Sequence, residues 1–362
     1  MSEQHTARMR QTEMQAFSIG PFDPETASAQ EWAQLQVFRR LRAAEDHPGE
    51  PVLADADFQH DVCRQWPLQQ YRRFVARRGV EIAGNLILVC RREGTPGCED
   101  YAAFVDVWGG VLNRFQRRGV ATALLRTLGG FMQESGRRVA TMKVHRPESH
   151  AFFRTIGAKE KFSSIENRLA LAALDWAALV HWRAEVQGLQ WEIHAGRVPM
   201  ERLAQLMAPF SQLINEQPLG SLDIPRMRYD LAGYESWYAE MDQRGGEHFL
   251  VLLRDGDEVV ALCDASWDAR FPERVYQALT AVAARWRGKG LAKAVKAAML
   301  QLLRERHPQL QTMITTNAHA NAPMLSINQR LGFAVHRHDA TYQIERDGLQ
   351  EFLAARTGHL AA

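Results

Sequence analysis

The sequence predicts an α/β protein built from two tandem copies of one domain, and three observations carry that prediction. First, the chain has 362 residues, 46% of them hydrophobic and 24% charged, which is enough for two buried cores in an ordinary globular composition. Second, two ordered landmarks recur. Gln116-Arg-Arg-Gly119-Val-Ala121 aligns with Arg287-Gly-Lys-Gly290-Leu-Ala292 at an offset of 171 residues, and Phe153-Arg-Thr-Ile-Gly157 aligns with Asn328-Gln-Arg-Leu-Gly332 at 175. Third, each first landmark sits where an apolar strand pattern gives way to helical periodicity.

The elements follow in chain order. In the first copy, residues 72–88 read as strands broken at Gly79 and Gly84, and 101–111 as a further strand. A helix begins at Val120, with Leu124, Leu128, Phe131 and Met132 on one face, and Gly136 ends it. Residues 138–144 form a strand and 149–156 a short helix closed by Gly157. A helical stretch over 171–190 joins the copies, so the expected domains are 1–180 and 181–362. In the second copy, 200–213 reads as a helix, and 249–253 and 259–264 as strands around the Arg254-Asp255-Gly256 turn. A strand over 276–282 precedes the loop. The helix after it carries Leu291, Val295, Met299 and Leu302 at helical spacing. A strand over 311–315 and a helix over 324–331, capped by Gly332, complete the copy.

Charge narrows the function classes. Lys and Arg total 44 against 42 for Asp and Glu, a formal net charge of +2, so nucleic acid is not an expected partner. No run reaches the ~18 apolar residues of a membrane span, and residues 1–15 lack the apolar segment of a secretory signal. A cytoplasmic location is expected. Cys63, Cys90, Cys98 and Cys263 match no zinc or thioredoxin spacing, and reduced thiols are expected, although Cys90 and Cys98 flank a turn-rich segment and could pair. His336 and His338 alternate on a strand without further ligands, so no metal is expected.

The repeated loop carries the chemistry. Glycine lets the backbone turn sharply and approach a ligand without a Cβ in the way. The first amides of the following helix lack intrahelical partners, and the helix dipole adds positive potential. Together they make a cradle for a pyrophosphate. Its residues are Gln116, Arg117, Arg118, Gly119, Val120, Ala121 and Thr122 in the first copy, and Arg287, Gly288, Lys289, Gly290, Leu291 and Ala292 in the second. Neither loop is a P-loop or a dinucleotide G-x-G-x-x-G.

Both loops resemble the acyl-CoA pyrophosphate loop of the GNAT N-acetyltransferase superfamily, over roughly 70–180 and 245–340. Thr316-Asn317-Ala318, Asn321-Ala-Pro-Met324 and Leu331-Gly332-Phe333 resemble the two-domain members of the mycothiol synthase type. The resemblance implies a mixed sheet in each copy whose fourth and fifth strands splay to admit pantetheine. It also implies acetyl-CoA, or another acyl-CoA, as cosubstrate, attacked directly by the amine of a small molecule. A backbone N–H near Val111 or Val282 would polarise the carbonyl.

The pattern departs from the resemblance at one place. Many relatives carry a proton-donating tyrosine four residues before the terminal glycine, where this chain has Phe153 and Asn328. The copies also differ: the second keeps Asn317, Asn321 and Asn328 to hold the pantetheine and thiol, whereas Arg146 aligns with Asn321 in the first. The second copy is therefore expected to be catalytic, with Asn328 in the acid's place, and the first to bind CoA unproductively or brace the fold. Asp264 is the favoured base, ahead of Glu273, Tyr276 and Asp106. Residues 215–220 resemble the loop that borders the acceptor site in two-domain relatives. The rival reading is a protein that binds acyl-CoA without turnover, and the chain is expected to be a monomer or homodimer.

Overall fold

The computed structural model describes residues 17–357; the segment read as lacking a secretory signal lies outside them. Two compact units emerge, and the α/β class holds, with twelve strands in a mixed sheet flanked by helices. The units are not divided at residue 180. The first comprises the described residues up to Glu160 together with those from Thr341 onward, and the second spans Lys161–Ala340.

In the first unit, β1 (Ser18–Pro21) leads to α1 (Ala29–Asp46), which a Ser28–Glu31 capping box starts, and then to α2 (Asp55–Cys63). The strands β2 (Gln69–Arg78), β3 (Glu81–Arg91) and β4 (Phe104–Val111) follow as an antiparallel series. Gly84 does not break a strand. It lies within β3 because β4 passes so close that a Cβ there would meet Gly110 O at 2.9 Å. After β4 come α3 (Val120–Glu134), β5 (Val139–Val144), parallel to β4, and α4 (Pro147–Thr155).

In the second unit, β6 (Lys159–Ala170) pairs antiparallel with β11 (Thr312–Ala318) from Ser164↔Ala318 to Ala170↔Thr312. This pairing puts β6 with the second unit, although it follows the first landmark pair directly. The helical stretch expected over 171–190 is only α5 (Trp176–Ala184), followed by strand β7 (Gln190–Gly196). Next come α6 (Met200–Asn215), α7 (Leu231–Gln243), and the antiparallel strands β8 (Glu247–Asp255), β9 (Glu258–Trp267) and β10 (Arg274–Val282). Then α8 (Leu291–Arg306), β11 and α9 (Ala322–Leu331) lead into β12 (Ala334–Glu345) and α10 (Arg346–Thr357). β12 starts in the second unit and ends in the first, where Arg346 N–H donates to Arg138 O at 2.8 Å and α10 packs on α3 at Gly129. The described residues from Thr341 onward therefore belong with the first unit.

The core of the second unit lies on both faces of its sheet. Phe249, Val251, Ala261, Cys263 and Val275 face α8, where Val295, Met299 and Leu303 are buried. Leu250, Leu252, Leu262, Leu279 and Ala281 face α6 and α7. All four cysteines are free, so Cys90 and Cys98 are unpaired. Among the described residues no helix is long and apolar enough to cross a membrane.

Candidate active site in the second unit

β10 departs from regular pairing in its middle. Gln277 pairs with Ala265 and Thr280 with Cys263, so three steps on β10 match two on β9. That extra residue is a β-bulge, and it flips the facing of everything after it. Val275 and Gln277 face α8 before the bulge, whereas Leu279 and Ala281 face α6 and α7 beyond it. The parallel ladder to β11 ends at Gln277↔Thr315 although both strands continue, so the pair separates. Ala283 N–H donates to Val260 O at 2.9 Å, and strand alternation therefore aims the Val282 N–H at the opening.

The opening leads to the cradle. Gly288 (φ +79°) and Gly290 (φ +77°) hold left-handed conformations that permit the turn into α8. The first helical bond is Ala294 N–H to Gly290 O, and no side chain caps the helix. The amides of Leu291, Ala292 and Lys293 therefore lack an intrahelical acceptor, the arrangement suited to an anion. Arg287 Nη2 donates to Glu216 at 2.6 Å, and Lys293 Nζ to Glu185 at 2.5 Å. Lys289 stands over the Trp286 ring. Glu216 belongs to the 215–220 segment, which reaches this loop through Arg287.

Behind the opening, facing α8, is a buried polar chain. Lys296 Nζ donates to Gln277 Oε1 at 2.7 Å and to Asn328 Oδ1 at 2.8 Å. Asn328 Nδ2 donates to Asn317 Oδ1 at 2.6 Å. Asn328 is only 1% exposed, so it meets the opening through Asn317, which is partly exposed, and not by itself. Asn321 caps α9, accepting from Met324 N–H at 3.3 Å.

On the opposite face, Asp264 lies within β9 and not at its end, beside the bulge and partly exposed. Its Oδ2 lies 3.0 Å from His248 Nε2, and His248 Nδ1 lies 2.8 Å from Tyr238 Oη, which accepts from Val198 N–H. A neutral ring in this chain accepts the Tyr238 proton at Nδ1 and donates from Nε2 to Asp264. Burial pushes the Tyr238 phenol up to about 12, so it stays protonated, and Tyr229, Tyr234 and Trp237 complete an aromatic wall. Sequence reasoning missed His248, Tyr238 and Lys296. Lys296 is the one charged residue in the run Ala294–Leu300, a signal that could have found it. Of the other acids weighed as bases, Glu273 precedes β10 at the end away from the loop and pairs with Arg274, and Asp106 is exposed. Tyr276 is 44% exposed.

The first unit keeps the cradle and fills the opening. Gly119 (φ +83°) starts α3 at Val120, whose first helical bond is Ala123 N–H to Gly119 O, leaving the amides of Val120, Ala121 and Thr122 without helical acceptors. Arg117 adopts φ +61°, and Gln116 Nε2 donates to Asn113. The β4–β5 ladder ends at Val107↔Met142, yet β4 shows no bulge. Arg42 donates to Val111 O at 3.0 Å and pairs with Asp46, which also accepts from Arg146 at 3.1 Å. Arg146 Nη2 then reaches Asn113 Oδ1 at 2.7 Å. Arg42, Asp46 and Arg146 are each at most 17% exposed.

Residues 210–333 match the model of the Acetyltransferase (GNAT) family. The chain is similar to a tandem GNAT protein from the clavulanic acid biosynthesis pathway, with 19% identity, TM-score 0.71, and 91% of this chain and 98% of that one covered. It is similar also to a GCN5-related N-acetyltransferase from Sphaerobacter thermophilus, at 14% identity and TM-score 0.62 over 91% and 96% of the two chains. A glucosamine N-acetyltransferase region of a fungal multi-domain β-N-acetylglucosaminidase shares 16% identity at TM-score 0.61, over 91% of this chain and 38% of that one. No curated protein matches the chain significantly.

Proposed function

We propose, from the GNAT acetyltransferase domain that residues 210–333 carry, that the protein moves an acetyl group from acetyl-CoA to the primary amine of a small molecule. The second unit performs the reaction. The observation that carries this reading is the bulged β10, separating from β11 directly before a glycine-turned helix start.

In this reading the free amides of Leu291, Ala292 and Lys293 hold the pyrophosphate, with Arg287 and Lys289 adding charge. The thioester lies in the β10–β11 opening, where the Val282 N–H polarises its carbonyl. The acceptor enters from the aromatic face, and Asp264 removes a proton from its ammonium. The N–C bond then forms as the C–S bond breaks, and the sulfur leaves with the bonding pair. Holding both reactants in one opening supplies much of the acceleration by removing the entropy of encounter.

The first unit braces the fold and takes no thioester. Ion-paired side chains occupy its opening, and displacing them would strip buried charges of their partners.

Native mass spectrometry with acetyl-CoA tests the reading, together with thiol release from a panel of amines. One adduct per chain, lost on Gly290→Val, is expected. Absence of adducts at millimolar acetyl-CoA would overturn it.

A further inference from the structure

Lys296 poses a physical problem. It is 2% exposed, and neither of its hydrogen-bond partners is a carboxylate. A buried ammonium without a counter-ion is costly, and replacing such a group by an apolar side chain of similar volume is often neutral or stabilising. What it does provide is direction. An ammonium only donates, so Lys296 fixes Asn328 with Oδ1 toward it and Nδ2 away. Asn328 Nδ2 meets Asn317 Oδ1, which fixes that amide in turn. Asn167 Nδ2, at 3.5 Å, approaches the same oxygen. The end left over is the Asn317 Nδ2, a donor on a partly exposed residue of β11, two positions beyond Thr315, where the ladder to β10 stops.

We propose that Lys296 is a positioning residue that, through Asn328, holds the Asn317 amide with its N–H donors facing the opening between β10 and β11, where they stabilise the departing CoA thiolate. The inference rests on the acyl-CoA reading above. As the acceptor nitrogen bonds to the acetyl carbon, the C–S pair passes to sulfur. The sulfur accepts a hydrogen bond from Asn317 and takes its proton from water, while the nitrogen's proton leaves by the base. No tyrosine is needed at position 328, because the chain supplies a donor and a nearby positive charge. Hydrogen bonds in such a chain reinforce one another, and the ammonium polarises them all toward the sulfur.

The neighbours of Lys296 leave its charge state to burial. Gln277 and Asn328 do not titrate, the Phe333 ring lies 5.1 Å away, and burial pushes the Cys263 thiol up to about 11, so it remains neutral. Burial draws the ammonium itself down to about 8.

The test compares Lys296→Met and Lys296→Gln with the wild-type chain for acetyl-CoA binding by native mass spectrometry and for kcat against pH. Expected is a fall in kcat of about 10- to 100-fold with acetyl-CoA affinity within about threefold, less than the about 10²- to 10³-fold cost of a donor removed outright. The wild-type kcat declines above about pH 8 as the ammonium is lost, and both variants lack that decline. Asn317→Asp, which replaces a donor by an acceptor, reduces kcat at least as much while Lys296 remains. Unchanged kcat and pH profile in either folded variant overturn the proposal. Wild-type protein that binds no acetyl-CoA overturns the acyl-CoA reading itself.

Discussion

Arg146 Nη2 donates to Asn113 Oδ1 at 2.7 Å, tying the residue that starts α4 to the end of β4 across the place where β4 and β5 part. The residue aligned with Arg146 is Asn321, whose side chain turns to its own helix and accepts from Met324 N–H. One substitution thus turns an opening into a brace.

Arg146→Ala and Asn321→Ala should therefore differ in kind. Removing Arg146 breaks its bonds to Asp46 and Asn113 and should cost about 1–3 kcal/mol of stability, with turnover within about twofold. Asn321→Ala should lower turnover by about tenfold or more, because the start of α9 loses its cap beside the opening. Thermal melts and steady-state rates on both variants check this. Equal loss of turnover in the two would refute the assignment of catalysis to the second unit.

Arg287 and Glu216 predict a tuning of affinity. Their bond is short at 2.6 Å, but Arg287 is 53% exposed, so the pair contributes only about 0–1 kcal/mol. Glu216→Gln frees Arg287 for the pyrophosphate and should tighten acetyl-CoA binding by about two- to fivefold, an effect that fades as salt is raised. Titration calorimetry at two ionic strengths measures it.

Asp264 Oδ2 lies 3.0 Å from His248 Nε2, and His248 Nδ1 lies 2.8 Å from Tyr238 Oη. Asp264→Asn keeps the size and the accepting oxygen but cannot take a proton, so kcat should drop about 100-fold or more with KM for acetyl-CoA little changed. His248→Gln, which only loosens the carboxylate, should cost less, about tenfold. Full activity in Asp264→Asn would move the base elsewhere.

Much of this was legible in the sequence, and the rest was hidden for definable reasons. Gly119 and Gly290 stood out because a strand-to-helix turn at positive φ needs glycine, and both adopt it. The assignment of β6 to the second unit and of the end of β12 to the first was not legible, because periodicity says that a strand exists and not which neighbour it pairs with. Asp264 read as a strand end because the apolar run stops at Cys263, yet β9 continues to Trp267. Lys296 stands beside the helical-face residue Val295 with nothing local to mark its depth, and only the packing of α8 on β9 and β10 shows it buried. The Arg42–Asp46–Arg146 brace joins residues far apart in the chain, which no local pattern reveals.

The last prediction concerns stability and pH. Burial lowers the Lys296 pKa to about 8, from 10.5 for an exposed lysine. Below about pH 8 both native and unfolded chains carry the proton, and the burial cost of the charge is present in full. Between about 8 and 10.5 the unfolded chain binds more protons than the native one, so this group makes native stability rise with pH. The rise cannot exceed ~1.4 kcal/mol per pH unit for one proton. Cys263, held up to about 11 by burial, works in the opposite sense over its own range, but it is present in both proteins and cancels to first order in a comparison. Denaturant unfolding of wild type and Lys296→Met between pH 7 and 10 should thus show the difference moving in favour of the wild type as pH rises. A difference that stays flat across that range would mean that Lys296 is not held as a buried ammonium.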